Sequence, residues 1–565
     1  MSGMRYLSTR GGAERLTFEE AVLRGLAPNG GLYIPVNLPS IPADWSTRWR
    51  NLSFPALSFE ILSLFIPPTA EEGGILPADL KALLEKSYSE FRDPKTTPLK
   101  KLTSSESGSA QEWCLELWHG PTFAFKDVAL QTLGNLFEYF LQRRNAGKAE
   151  GERQKLTVVG ATSGDTGSAA IAGLRSKADI SIFILHPKGR VSPIQEAQMT
   201  TVLDDNVHNL AVEGTFDDCQ DVVKALFSDA QFNAKHRLGA INSINFARIL
   251  AQIVYYFSAW FQLLQQTGEA SPDVEFVVPT GNFGDILAGY YAKRMGLPIT
   301  NLVVATNEND ILQRFWSTGA YEKEATGHAG ASQTEPAQGS SDGAQAGTAK
   351  DVSGVKATLS PAMDILVSSN FERLLWYIAS ETASGSDREA DAGKQLAQWM
   401  KELKEQGRFQ VDKNQLEVAR RDFEAERVSD KETKETILRY FNAPPSYLID
   451  PHTAVGFCAA NRLSARRAGA KHQVVLSTAH PAKFSEAVTS SLESAGASFD
   501  FERDVLPKEM HGLLEKERRV RDVKLADADS QSAPKVERLV EATKKVIELE
   551  AGKVSAAQGK GTESV

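Results

Sequence analysis

A chain of 565 residues is too long for one hydrophobic core and predicts about three or four domains, and shares of 42% apolar and 24% charged residues are those of a globular protein. The formal charge of −9 excludes a general nucleic-acid binder, which needs a basic face, but leaves room for a local pocket for a small anion. Cys114, Cys219 and Cys458 stand too far apart for a C-x-x-C pair, which excludes a disulfide framework and a zinc knuckle.

Residues 1–6 carry neither an apolar h-region nor an Arg-rich stretch, so the expected location is cytoplasmic. Residues 1–98 mix short helical and extended signals with proline joints at Pro35, Pro39, Pro42, Pro67 and Pro68, and read as a small N-terminal domain. From about Leu115 short β-branched runs (156–159, 180–185, 274–278, 302–305 and 474–476) alternate with amphipathic stretches of helical length. That alternation predicts βαβ units and a mostly parallel sheet, hence an α/β fold. The expected division is one α/β domain over 99–270 and a second over 271–505. The apolar tract 249–264 is broken by Gln252, Ser258 and Gln262, falls short of the roughly 20 residues that cross a bilayer, and predicts a buried helix. Residues 322–356, rich in Gly, Ala, Ser, Gln and Thr, cannot bury enough surface to offset their ordering entropy and predict a disordered surface insertion within the second domain. The Lys/Glu-rich tail over 506–565 predicts a solvated helical extension that frays after Ala556.

Four segments carry candidate chemistry. The first, W-H-G-P-T-F-A-F-K-D-V-A-L-Q over 118–131, sets Lys126 at a helix start among Phe123, Phe125 and Val128. An apolar surround disfavours an ammonium, and an amine that is neutral part of the time can react with an aldehyde. In the second, over 157–170, a strand runs through Ser163, Gly164, Asp165 and Thr166 into a small-residue helix, a ready anion site. In the third, over 276–287, Gly281 and Gly284 allow close backbone approach to an anion and Asn282 can donate. The side chain of Asp285 there should not face a phosphate, because like charges repel. The fourth, over 474–483, ends a strand in hydroxyl residues, where open α/β sheets bind ligands. Any one of these turns alone reads as an ordinary joint between strand and helix. None matches G-x-x-x-x-G-K-[ST] or a clean G-x-G-x-x-G, so the usual nucleotide readings lack support. His119, His186 and His480 lie beside Gly or Pro in turns and read as structural hydrogen-bonders, with no spacing for a metal.

H-G-P-T-x-A-F-K-D, S-G-D-T-G and G-N-F-G-D, in this order, resemble the threonine synthase family of the long fungal and bacterial type. The opening M-R-Y-L-S-T-R-G over 4–11, H-P-K-G-R-V-S-P over 186–193 with Gln195, and N-S-I-N-F-A-R over 242–248 are similar to that family as well. The resemblance spans residue 4 to about 515. It implies the fold-type II, tryptophan synthase β-like architecture: two open, mostly parallel α/β domains with pyridoxal 5'-phosphate between them, and a small N-terminal domain. It further implies that Lys126 carries the cofactor, that Gly281, Asn282, Phe283, Gly284 and Asp285 form the phosphate cup, and that Thr478 meets the pyridine nitrogen. Ser163, Gly164, Asp165 and Thr166 match the family's substrate-anion loop. Many relatives have Asn in place of Asp165, and an acid beside a substrate carboxylate is expected to turn its side chain away. Arg248, with Ser243 and Asn245, is the hypothesis for the substrate phosphate, since a guanidinium suits bidentate oxyanion binding.

The implied activity is that of a pyridoxal-phosphate-dependent carbon–oxygen lyase acting on phosphates, which turns O-phospho-L-homoserine and water into L-threonine and phosphate. The expected partner is that small-molecule substrate, with no nucleic acid, membrane or metal, in a monomer or small homo-oligomer. The competing readings are a phospho-lyase on the same scaffold that ends in 2-oxobutyrate, a serine or threonine dehydratase, and a non-catalytic homologue.

Overall fold

The structure, a computed structural model, describes residues 3–102, 110–323, 354–466, 471–493 and 499–559. Two sheets organise it. In the larger, six strands run in the order Phe423–Arg427, Asn301–Thr306, Val274–Pro279, His472–Ser477, Gln111–Glu116 and Leu99–Lys101. All neighbours are parallel except the final pair. In the smaller, five parallel strands run in the order Arg521–Val523, Val207–Val212, Ile180–Pro187, Leu156–Ala161 and Leu238–Gly239. The five runs picked out from sequence all fall inside these strands. Val274–Pro279 and His472–Ser477 are buried at every position, as parallel strands covered on both faces must be.

The expected buried helix is Phe246–Thr267, whose residues from Phe246 to Leu264 are all buried. Its polar breaks have structural uses. Gln262 accepts from the Leu99 N–H at 3.0 Å and donates to the Thr97 carbonyl at 2.9 Å, which pins the edge strand of the larger sheet. The N-terminal segment packs onto the same helix through Tyr6 and Phe246, whose rings lie 5.2 Å apart. Among the described residues, no helix is long and apolar enough to cross a membrane.

Three boundaries differ from the sequence reading. Leu99–Lys101 and Gln111–Glu116, expected with the first α/β segment, join the larger sheet instead, where Gln111–Glu116 pairs with His472–Ser477. The tail is not a solvated extension: Arg521–Val523 adds a parallel edge strand to the smaller sheet, and Leu539, Ala542, Val546 and Ile547 of the Lys535–Gly559 helix are buried in its core. That helix also runs past Ala556, and 560–565 lie outside the described residues. Of the 322–356 insertion, 324–353 lie outside the described residues. Its edges are built in: Glu322 ends a strand paired with Arg408–Gln410, and the Lys356 N–H and carbonyl both bond the Asn309 side chain.

Candidate active site

Parallel pairing of His472–Ser477 with both Val274–Pro279 and Gln111–Glu116 sets the carboxyl ends of three strands side by side. Three of the four sequence segments therefore emerge at one edge, next to the point where strand order reverses. The Leu117 N–H bonds the Ser477 carbonyl at 3.0 Å, the Phe125 N–H bonds the Thr478 carbonyl at 2.8 Å and the His480 N–H bonds the Phe123 carbonyl at 3.1 Å. These bonds zip the 118–126 loop onto the 477–480 turn and start the Lys126–Asn145 helix at Lys126.

A cleft of about 1290 Å³ opens there. It gathers Lys126, Asp165, Thr166, Ser243, Arg248, Gly281, Asn282, Phe283, Gly284, Asp285 and Thr478. Three expected residues do not line it. Ser163 is exposed, Gly164 is buried in the turn, and Asn245 is fully buried with its amide already used. Asn245 caps the Phe246–Thr267 helix by accepting from the Ala247 N–H and donates to the Val22 carbonyl at 2.8 Å, tying the N-terminal segment to the helix start.

Lys126 Nζ lies 4.7 Å from the centroid of the Phe125 ring and 3.6 Å from Asp165 Oδ2. Its surround is less apolar than the sequence predicts, because the Phe123 ring faces the Arg92 guanidinium and His480 instead. Burial lowers the Lys126 pKa, with Arg248 and Lys483 adding repulsion and Asp165 opposing.

Asp165 does not turn out of the cleft as expected. Its Oδ1 accepts from Gln195 Nε2 at 2.9 Å and lies 3.1 Å from Lys483 Nζ. Burial works against its ionisation, but Lys483 and Lys126 together hold the carboxyl well below the usual carboxylate range. The turn that presents it needs glycine: Gly164 has φ 141°, and a Cβ there would lie 2.4 Å from Gln195 Oε1.

The 281–285 turn is buttressed from behind. Ser368 Oγ donates to the Gly281 carbonyl at 2.6 Å, and Asn370 donates to the Asn282 carbonyl and, at 3.1 Å, to the Ser243 carbonyl. Arg373, fully buried, holds Asn370 and bonds the Ile244 and Tyr33 carbonyls, so one guanidinium braces both the 281–285 and 243–245 turns. A Cβ on Gly281 would sit 2.9 Å from the Ala362 carbonyl oxygen. Phe283 adopts left-handed φ 62° just before the Gly284–Met295 helix, whose first N–H groups have no partner within the helix. The Asp285 side chain is engaged by two tyrosines of the Phe246–Thr267 helix. Its Oδ1 accepts from the Tyr255 and Tyr256 hydroxyls, and burial pushes its pKa up to about 7.

Arg248 is 4% exposed and donates to the Ile241 carbonyl at 3.2 Å. Among the described residues its Nε has no partner and it forms no ion pair, so a buried cation is left for an anion in the cleft. His452 also lines the cleft: its Nδ1 faces Asp450 Oδ1 at 2.9 Å, and its Nε2 accepts from the Ala362 N–H. The sequence reading gave no role to His452, Lys483, Gln195, Tyr255, Tyr256 or Arg373. Gln195 and Lys483 lie inside segments it quoted, but only the fold brings them to Asp165. Of the three histidines read as structural, His119 bonds Glu116 at 2.7 Å and His480 accepts from the Ala482 N–H, whereas both ring nitrogens of His186 lack a hydrogen-bond partner among the described residues.

Comparison with known proteins fits this geometry. The family described as threonine synthase N terminus matches residues 5–88, the pyridoxal-phosphate dependent enzyme family matches 91–363, and the threonine synthase C-terminal family matches 453–533. The threonine synthase of Schizosaccharomyces pombe is 54% identical over 518 residues, 92% of this chain and 95% of the relative. That of Saccharomyces cerevisiae is 52% identical over 93% of this chain and 96% of the relative. The crystal structure of threonine synthase from yeast superposes with a TM-score of 0.85 at 49% identity, covering 98% of this chain and all (100%) of that one. A pyridoxal-phosphate-bound threonine synthase structure from Brucella melitensis gives 0.77 at 38% identity, covering 96% and 99%. The chain belongs to the threonine synthase family of pyridoxal-phosphate-dependent enzymes.

Proposed function

We propose that the chain converts O-phospho-L-homoserine and water to L-threonine and phosphate, with Lys126 as the covalent partner of pyridoxal phosphate. One observation carries this reading: a largely shielded amine whose pKa is lowered and a braced glycine turn at a helix N-terminus share one cleft. The residues present suit the cofactor. The N–H groups at 283–285, beside a Gly281 that admits no Cβ, suit its phosphate. The Thr478 hydroxyl suits a pyridine nitrogen left without a proton.

When bound, pyridoxal phosphate supplies an electron sink that makes the hydrogens of a joined amino acid acidic. Lys126, disfavoured as an ammonium, is placed to take a proton at the substrate Cα and to return it later. Arg248 is the binding group for the substrate phosphate, with Ser243 on the turn before its helix. Asn245 leaves that set, because its amide is committed to Val22 and Ala247. The helix start at Asp165 and Thr166 presents its N–H groups to the substrate carboxylate, while the charge of Asp165 is answered by its two lysine neighbours.

Lys126→Ala is expected to abolish threonine formation and the visible absorption band that develops on adding pyridoxal phosphate. Normal threonine formation by that variant would refute the assignment. Chromatography of the products separates this activity from a phospho-lyase: threonine supports it and 2-oxobutyrate overturns it.

A further inference from the structure

A second lysine stands against Asp165, and beyond answering that charge it has no part yet in the reaction just described. Lys483 is completely shielded from solvent, on the short Pro481–Phe484 turn that follows the His472–Ser477 strand. Its Nζ donates to the Thr122 carbonyl at 2.7 Å and to Gln198 Oε1 at 2.9 Å, with Ser168 Oγ at 3.4 Å. Asp165 Oδ1 completes the shell at 3.1 Å, and the other oxygen of that carboxylate faces Lys126 Nζ at 3.6 Å. These oxygens come from three segments: the loop before Lys126, the Asp165–Leu174 helix and the Pro193–Thr200 helix. An ammonium has three protons to donate and no lone pair, so a shell made only of oxygens suits its charged form.

We propose that Lys483 is a positioning residue for the reaction: from its shell of oxygens it fixes Asp165 against Lys126 and answers the Asp165 charge, leaving Lys126 free to release and regain a proton. The proposal rests on the reading of Lys126 as the reacting amine. Without Lys483, Asp165 would have Lys126 as its nearest cation and would hold it protonated. The loss of Lys483 also removes a direct repulsion on Lys126, so both effects push Lys126 toward its charged form. The remaining charged or titratable groups facing this cluster are Arg248 and Asp285 toward Lys126, His452 toward Asp165, and Asp127 and His480 toward Lys483.

The test measures the Lys126 pKa in the full-length, cofactor-free chain from the pH dependence of its acetylation, read by peptide mass spectrometry. The pH profile of kcat is recorded on the loaded enzyme in parallel. Lys483→Met is expected to raise the Lys126 pKa by about one pH unit and to move the acidic limb of the kcat profile up with it. The double variant Lys483→Met/Asp165→Asn removes both charges and should bring both readouts back toward wild type, and Lys483→Arg, which keeps the charge, should leave the Lys126 pKa in place. An unmoved Lys126 pKa in Lys483→Met, or a double variant no nearer wild type than the single one, overturns the proposal. Should Lys483→Met fail to fold, the double variant decides alone: a Lys126 pKa displaced from wild type by about one pH unit or more overturns it. An acetylation shift with an unmoved kcat profile supports the pairing and overturns the assignment of Lys126 as the reacting amine.

Discussion

The turns at 162–165 and 280–285 are built from the same parts, yet their acids end in opposite states. Each follows a parallel strand, bends through a left-handed or glycine conformation, and opens a helix whose first turn carries an aspartate. Both aspartates are buried. Asp285 faces two tyrosine hydroxyls, and burial drives its pKa up to about 7. Asp165 faces the two lysines Lys126 and Lys483, which outweigh its burial and hold its carboxyl well below the usual carboxylate range. Local sequence sets the anion-binding backbone of both turns; partners far along the chain set the charge of the side chain.

The comparison can be broken most forcefully at Asp165. Asp165→Leu leaves Lys483 buried without its carboxylate, and breaking a buried pair from one side costs about 3–5 kcal/mol. Denaturant unfolding of the cofactor-free chain measures this, and a loss below about 1 kcal/mol would mean that the pair is not a buried one. Asp285→Asn probes the other turn through pH. A folded pKa of about 7, above the ordinary value of 3.8, means that the native state favours the protonated acid. Its contribution to stability is therefore present below about pH 4 and is lost as pH rises through about 7. The Asn variant escapes that loss, so its stability relative to wild type should grow by about 4 kcal/mol across that window. A difference flat in pH would place the Asp285 carboxyl outside the hydroxyl pocket. Gly281→Ala forces a Cβ against the Ala362 carbonyl and should weaken pyridoxal-phosphate binding by about tenfold, equivalent to roughly 1.4 kcal/mol. Fluorescence titration with the cofactor reads that loss. Tyr256→Phe, the mildest change, removes one of the hydroxyls on Asp285 and should cost about 1 kcal/mol of stability by the same unfolding measurement.

The alternating apolar runs and the glycine turns were legible because both are local: strand periodicity and helix starts are written in neighbouring residues. The Ile180–Pro187 and Val274–Pro279 strands are examples, and so is the buried Phe246–Thr267 helix. Pairing across long separations was not. Nothing near Gln111–Glu116 says that it lies beside His472–Ser477, so a boundary drawn along the chain assigns that strand to the wrong sheet. Arg521–Val523 has one buried side chain in three and looks like charged tail until Val207–Val212 offers it an edge. The same reason hid the site's supporting residues. Lys126, the 281–285 turn and Thr478 carry motif signals, whereas Lys483, Tyr255 and Arg373 acquire their roles only from residues more than a hundred positions away or on a facing helix. Asn245 shows the converse, a residue inside a quoted motif whose amide is spent on the helix start and the N-terminal segment.

The central claim is the identity of the amine that holds the cofactor. Borohydride reduction of the pyridoxal-phosphate-loaded chain, followed by digestion and mass spectrometry of the tagged peptide, names that amine directly. The tag is predicted on Lys126 and on no other lysine. A tag on Lys483, or on any lysine outside the cleft, would contradict the account.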